Sequence, residues 1–314
     1  MIKKIALILS LIIGFIYFSS AWYFSTQILM LPITECTVER FVFCGEPSEQ
    51  GITFEEVSFK SSDGFTIPGW YMPASDSTTK QSVLLVHGRT ANRTEGMRYA
   101  KAIINAGYNV LAIDLRHPRQ HPDIISTMSY HEKKDVIAAL DFLENEKGAE
   151  SIGVMGFSMG AAASIIVMAK DPRIKAGIFS GSYANSMDVL SEQAKLIYGL
   201  PRYPLMPMVE IFFAWRGDLD IDEINPEKYI AQISPRPVYI MHGTADKTVN
   251  FQHGQRLFDT AKEPKQFWRA EEGEHTKLWQ LDNEKAETSV VTFFNRYLKN
   301  GEVNHRTVLI TEQD

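Results

Sequence analysis

Gly156-Phe157-Ser158-Met159-Gly160 sets a hydroxyl nucleophile between two glycines in the G-x-S-x-G pattern. Ile152–Met155 before it are apolar and partly β-branched, as in a buried parallel strand, and Ala161–Met168 after it read as a helix of small residues. A strand that turns straight into a helix strains its corner residue, and glycines two before and two after leave room for close approach. The corner serine then projects its hydroxyl into a cleft, where the first N–H groups of the new helix face any negative charge that develops. In this setting the pattern reads as a nucleophile elbow rather than as a serine that merely caps a helix.

A serine hydroxyl attacks only when a base takes its proton, and a carboxylate must hold that base in the right tautomer. In chain order the acid should follow the serine and the histidine should follow the acid. Val238–Met241 is an apolar strand leading into His242-Gly243-Thr244-Ala245-Asp246, which puts Asp246 just past a strand's carboxyl end. Asp188, Asp218, Asp220 and Asp222 are alternatives that read as solvated surface charge. His275 lies in the loop beyond the last strand, Gln266–Arg269, and is the candidate base. His253 falls at a helix start, His305 in the tail, and His117, His121 and His131 before the elbow. The oxyanion needs two preorganised donors, each worth roughly 3 kcal/mol of barrier. Met159 offers its backbone N–H directly after the nucleophile, and Arg89 offers the other from the loop after Ser82–Val86, where Gly88 permits close approach. The Arg89 and Arg93 side chains could also attract an anionic substrate. Neither Cys36 nor Cys44 lies near a motif, so no cysteine nucleophile and no metal site is expected. In an oxidising compartment the two could close a small loop.

These residues need a scaffold. Short apolar runs at Ser82–Val86, Asn109–Leu115, Ile152–Met155, Lys175–Phe179 and Pro237–Met241 alternate with helical patterns at Glu95–Ala106 and His131–Lys147. Such alternation implies right-handed crossovers and a mostly parallel sheet flanked by helices. Thr53–Ser61 and Phe65–Met72 flank Ser62-Asp63-Gly64 as a hairpin. Residues 182–234 break the alternation with dense aromatics and methionines interrupted by Pro201, Pro204 and Pro207. Fifty residues are too long for a plain connection, and the segment reads as a helical cap over the site, with Phe212 and Trp215 facing the substrate pocket.

The 314 residues carry a net charge of −6 and leave no basic footprint, which excludes nucleic acid as an expected partner. Lys3 and Lys4 precede a run from Ile5 to Phe18 broken only by Ser10 and Gly14, followed by Trp22-Tyr23-Phe24. The run is long enough to span a bilayer, and the lysines put the amino terminus in the cytoplasm and the catalytic domain outside. The rival is a signal peptide cleaved after Ser19-Ser20-Ala21. The expected layout is therefore an anchor over 1–30, a neck over 31–52, a catalytic domain over 53–300 with its cap, and a tail over 301–314.

The His87-Gly88 loop, the Gly156–Gly160 elbow, the His242-Gly243-x-x-Asp246 turn and Gly273-Glu274-His275 together resemble the α/β-hydrolases. The likeness covers about Thr53–Lys299 and points to the serine-esterase and prolyl-oligopeptidase-like group, in particular to small membrane-associated, Bem46-like hydrolases. The resemblance implies an α/β-hydrolase fold, Ser158, Asp246 and His275 as the triad, and Arg89 and Met159 as oxyanion donors. It implies hydrolysis of a carboxylic ester or thioester through an acyl-serine intermediate, without metal or organic cofactor, on a small or lipid-like acyl substrate. Peptidase or amidase activity and acyl transfer use the same intermediate and stand as alternatives. A catalytically silent binding protein is disfavoured by the complete triad. One departure from the relatives is His117-Pro118-Arg119-Gln120-His121-Pro122, where they often carry a glycine-rich loop.

Overall fold

Residue alternation along the central strands divides the core in two. In the computed structural model, which describes residues 1–30, 34–76, 78–117, 124–299 and 308–310, a long helix α1 (Ile2–Leu29) and a short one α2 (Val38–Phe41) precede the sheet. A hairpin of β1 (Glu55–Lys60) and β2 (Thr66–Met72) turns at Gly64, whose φ of 88° suits glycine. The chain then runs β3 (Gln81–Val86), α3 (Met97–Asn105), β4 (Asn109–Ile113), α4 (Glu132–Asn145), β5 (Ser151–Phe157), α5 (Met159–Lys170) and β6 (Ile174–Ser180). Two helices follow, α6 (Ser186–Tyr198) and α7 (Leu205–Gly217), and then β7 (Val238–Gly243), α8 (Phe251–Thr260), β8 (Lys265–Ala270), α9 (Leu278–Leu281), α10 (Asn283–Phe294) and β9 (Val308–Ile310). Within the tail, β9 is paired parallel to β8.

Among the described residues the sheet order is β1-β2-β4-β3-β5-β6-β7-β8-β9, parallel from β4 onward and antiparallel at β1, β2 and β4. Val83, Leu85, Met155 and Phe157 face α3 and α10, while Leu84, Val86, Ile152 and Val154 face α4, α5 and α8. Both faces are covered, so the strands read as apolar runs. From β3 the chain first steps outward to β4 and then crosses back to β5 on the other side. Ligands bind at such a reversal, outside the strands' carboxyl ends, and that is where the elbow and the His87-Gly88 loop meet.

Residues 182–234 fold as α6, α7 and three short 3₁₀ turns. α7 lies beside the second half of α1 and runs in the same direction. Tyr17 Oη donates to the Pro204 carbonyl at 2.8 Å, Trp22 meets Phe212 and Trp215, and Leu29 approaches Gly217. Ala21, Ser25, Ile28 and Leu29 are buried in that contact. The amino-terminal helix is therefore part of the folded body at its carboxyl end, while residues before Tyr17 are mostly exposed. Cys36 and Cys44 are disulfide-bonded, with their Cα atoms 5.5 Å apart.

Candidate active site

Ser158 sits between β5 and α5 with φ 51° and ψ −117°, a strained conformation for a residue with a side chain. The two glycines of the pattern each have a steric reason. A Cβ on Gly156 would come within 2.5 Å of the Ala161 Cα, and one on Gly160 within 2.3 Å of the His87 carbonyl oxygen. The elbow is thus pressed against its own helix on one side and the β3 loop on the other.

Asp246 and His275 follow the ends of β7 and β8, and His275 lines the same cavity as Ser158. Gly243 lets their loops meet, since a Cβ there would lie 2.0 Å from the Gly273 carbonyl oxygen. His275 Nδ1 lies 2.6 Å from Asp246 Oδ2. Asp246 Oδ1 accepts the N–H groups of Thr248 and Val249, each at 2.8 Å. His242 Nε2, which contacts the Val249 carbonyl at 2.9 Å, stands 3.4 Å from Asp246 Oδ2. Burial alone would raise the Asp246 carboxyl, but its bonds to His242 and His275 hold it well below the usual carboxylate range. An ionised Asp246 can only accept, so His275 Nδ1 carries the proton and Nε2 is left to act as base. The Ser158 hydroxyl has no hydrogen-bond partner of its own among the described residues.

Of the oxyanion donors expected from sequence, Met159 directly follows Ser158 in the chain, and the loop that carries Arg89 approaches Ser158 at Gly88. Gly88 brings the loop so close that a Cβ would lie 3.0 Å from Ser158 Cβ. Met159 N is the first N–H of α5, and neither it nor Arg89 N donates to an acceptor among the described residues. The sequence reading missed Glu95. Its Oε2 accepts the Gly88 N–H at 2.6 Å and its Oε1 accepts the Thr276 hydroxyl at 3.2 Å, so one buried carboxylate ties the His87-Gly88 loop to the residue after His275. His87 completes the loop, its Nε2 accepting the Leu115 N–H at 2.9 Å.

Ser158 and His275 open into one cavity of about 740 Å³. Tyr183, Val189, Met206 and Val209 line it from the cap, and Phe24, Gln27 and Ile28 line it from α1. Thr37, Glu39 and Arg40 add the disulfide-closed loop, so Cys36 and Cys44 frame a cavity wall rather than lying apart from the site. Phe212 and Trp215 do not line the cavity. They occupy the face of α7 that packs on Trp22, with ring centroids 5.6 and 6.2 Å away, whereas Met206 and Val209 point to the site. The arginines expected to attract anions are also engaged. Arg89 reaches the Ile28 carbonyl and Ser126 Oγ, and burial lowers it to about 10, still charged at neutral pH. Arg93 is held by Glu56 at 2.9 Å and stacks on Trp70. Asp188 forms ion pairs with Arg202 and Arg256 instead of meeting His275. Of the variant loop His117–Pro122, residues 118–122 lie outside the described ones. Among the described residues no group of three or more His, Cys, Asp or Glu is arranged to hold a metal ion.

A family model described as serine aminopeptidase, S33, matches residues 77–207. The Bacillus subtilis protein YqkD is 26% identical over 238 residues, covering 75% of this chain and 77% of its own length. The Escherichia coli K12 protein YfhR is 24% identical over 228 residues, covering 70% and 73%. Among solved structures, an esterase of Pyrococcus furiosus superposes with a TM-score of 0.67 at 22% identity, covering 86% of this chain and 98% of its own. The 2,6-dihydroxy-pseudo-oxynicotine hydrolase gives 0.65 at 16% identity, covering 82% and 72%. The chain has the α/β-hydrolase fold.

Proposed function

We propose that the protein is a serine hydrolase that cleaves carboxylic esters or thioesters through an acyl-serine intermediate. The observation that carries this reading is the 2.6 Å contact of His275 Nδ1 with an ionised Asp246, on the wall of the cavity that also holds the strained Ser158. His275 Nε2 takes the Ser158 proton as Oγ bonds to the acyl carbon, and the carbonyl oxygen gains negative charge between Arg89 N and Met159 N. Collapse breaks the bond to the leaving alcohol or thiol, which receives the proton from His275. Water then repeats the sequence and releases the carboxylic acid. A fluorophosphonate probe should label the wild type and leave Ser158→Ala unlabelled, with ester turnover lost in parallel. Labelling that survives Ser158→Ala would overturn the assignment. Asp246→Asn should lower kcat by about 10³–10⁴-fold through the wrong His275 tautomer.

The match to an aminopeptidase model favours amide cleavage as the second reading. Leucine nitroanilide turned over faster than nitrophenyl esters would make it the first. α1, with a mean hydropathy of 2.1 over its most apolar 18 residues, is long and apolar enough to cross a membrane. We read it as an uncleaved anchor with the amino terminus cytoplasmic, supported by Lys3 and Lys4 ahead of it and by its docking on α7. The protein should stay with membranes through a carbonate wash, its carboxyl terminus protected from cytoplasmic protease. A mature chain beginning at Trp22 would refute this.

A further inference from the structure

The depth at which the cap meets α1 has a geometric consequence. Lys3 and Lys4 mark one end of the apolar run, and about 20 helical residues cross the hydrocarbon core, which carries α1 from Ile5 to about Phe24. Tyr17 lies seven residues short of that boundary, about 10 Å inside at 1.5 Å per residue. Yet Tyr17 Oη donates to the Pro204 carbonyl at 2.8 Å, and Phe24 stacks edge-on with Tyr198 at 5.2 Å. The turn between α6 and α7 therefore sits below the level of the headgroups whenever α1 spans.

The surface of that turn suits the position. Leu196, Tyr203 and, on α7, Trp215 are 62%, 69% and 70% exposed, and Ile197, Tyr198 and Ile211 are exposed beside them. Arg202, the one charged residue in the turn from Gly199 to Pro204, directs its guanidinium back to Asp188 at 2.6 Å. Glu210, the one carboxylate on α7, is half-buried rather than facing outward. An apolar patch of this kind on a water-facing cap would be a liability, whereas beside a spanning helix it continues that helix's lipid-facing surface. The catalytic cavity reaches the same place, since Ile197, Tyr198, Phe24 and Ile28 line it along with Ser158 and His275.

We propose that the α6–α7 turn and the outer face of α7 are embedded in the leaflet away from Lys3 and Lys4, and that the site takes its substrate, a membrane-resident carboxylic ester, directly from that leaflet. The proposal rests on the ester-hydrolase and anchor readings above. The ester's acyl chain would slide from lipid into the cavity between α1 and α6, its carbonyl carbon arriving at Ser158, and water would release it as a fatty acid with the lipid alcohol left behind.

The test uses the full-length protein in phosphatidylcholine vesicles, with 4-methylumbelliferyl palmitate dissolved in the bilayer and 4-methylumbelliferyl acetate in the water phase. The two esters share a leaving group and a readout. The triple variant Leu196→Glu, Tyr203→Glu and Ile211→Glu changes residues that do not line the cavity. It should hydrolyse the acetate within twofold of wild type, which also reports an intact fold, and the palmitate at least tenfold more slowly. Brominated phosphatidylcholine should quench Trp215 fluorescence, read as the difference between wild type and Trp215→Phe. Equal rates of the variant and wild type on both esters, or an unquenched Trp215, would overturn the proposal, the latter leaving the patch to a protein partner. Wild type that cleaves acetate but not palmitate would overturn the lipid substrate. Wild type that cleaves neither, with Trp215 still quenched, would instead remove the hydrolase reading and the substrate with it, while the embedded cap stood.

Discussion

Glu95 holds the two halves of the site in register, and its effect should be on kcat. It donates nothing to chemistry, but its two oxygens fix the Gly88 N–H and the Thr276 hydroxyl at 2.6 and 3.2 Å. Glu95→Ala frees the oxyanion loop and the histidine loop together, and misplacement of this order should lower kcat by about 10–100-fold with little change in KM. Glu95→Gln keeps one acceptor for Gly88 and an amide that Thr276 can accept, so it should restore most of the loss; equal defects in both variants would place Glu95 outside this role. Asp63 supplies a second test. Burial would raise its carboxyl, but Arg116, Ser61 and Lys134 hold it below the ordinary value of 3.8. A depressed folded pKa contributes stability that is fully present above the unfolded value and is lost as the pH falls below it, because the unfolded chain then binds the proton more readily. Asp63→Asn should therefore flatten the loss of urea stability below about pH 4 and leave activity at neutral pH unchanged.

At the scale of elements, α1 is both a candidate anchor and a wall of the site. Removing residues 1–16 deletes mostly exposed surface and should leave turnover of short esters intact. Removing 1–29 strips Phe24, Gln27 and Ile28 from the cavity, takes the Ile28 carbonyl from Arg89, and leaves Arg216 without Trp22, Ser25 and Thr26. That deletion should lower both Tm and turnover; a fully active fragment would mean the docking is incidental. The contrast marks what was legible in the sequence. The Ser158 turn, the approach of Asp246 to His275, and the β3 to β8 strands follow from local signals, because glycines, β-branched runs and chain order each act over a few residues. The roles of Glu95, of His242 beside Asp246, and of Ile28 under Arg89 depend on contacts across loops and up to 181 positions of chain, which no periodicity records. Phe212 and Trp215 were misread for a related reason. Aromatic density along α7 is the same whichever face meets the site, and the partner that decides it, Trp22, lies 190 residues earlier in the chain than Phe212.

For the whole molecule, the cavity's shape makes acyl length the property to measure. Met206, Val209, Val189, Ile28, Ile197 and Tyr198 all line the cavity with Ser158, so each added methylene of the proposed acyl chain should find apolar partners. At about 0.8 kcal/mol per fully buried methylene, even partial burial over the six between acetyl and octanoyl should raise kcat/KM by at least tenfold. Ile197 lines the cavity and is exposed, so a larger side chain there obstructs the chain's path without crowding the core. Ile197→Trp should then cut octanoyl turnover while sparing acetyl turnover, and Phe212→Ala, on the α1-facing side of α7, should leave the slope with chain length unchanged. A flat profile in the wild type, or a slope abolished by Phe212→Ala and not by Ile197→Trp, would show that the acyl chain takes another route. Nitrophenyl esters of two to twelve carbons, assayed below their solubility limits on the full-length protein in detergent, decide between them.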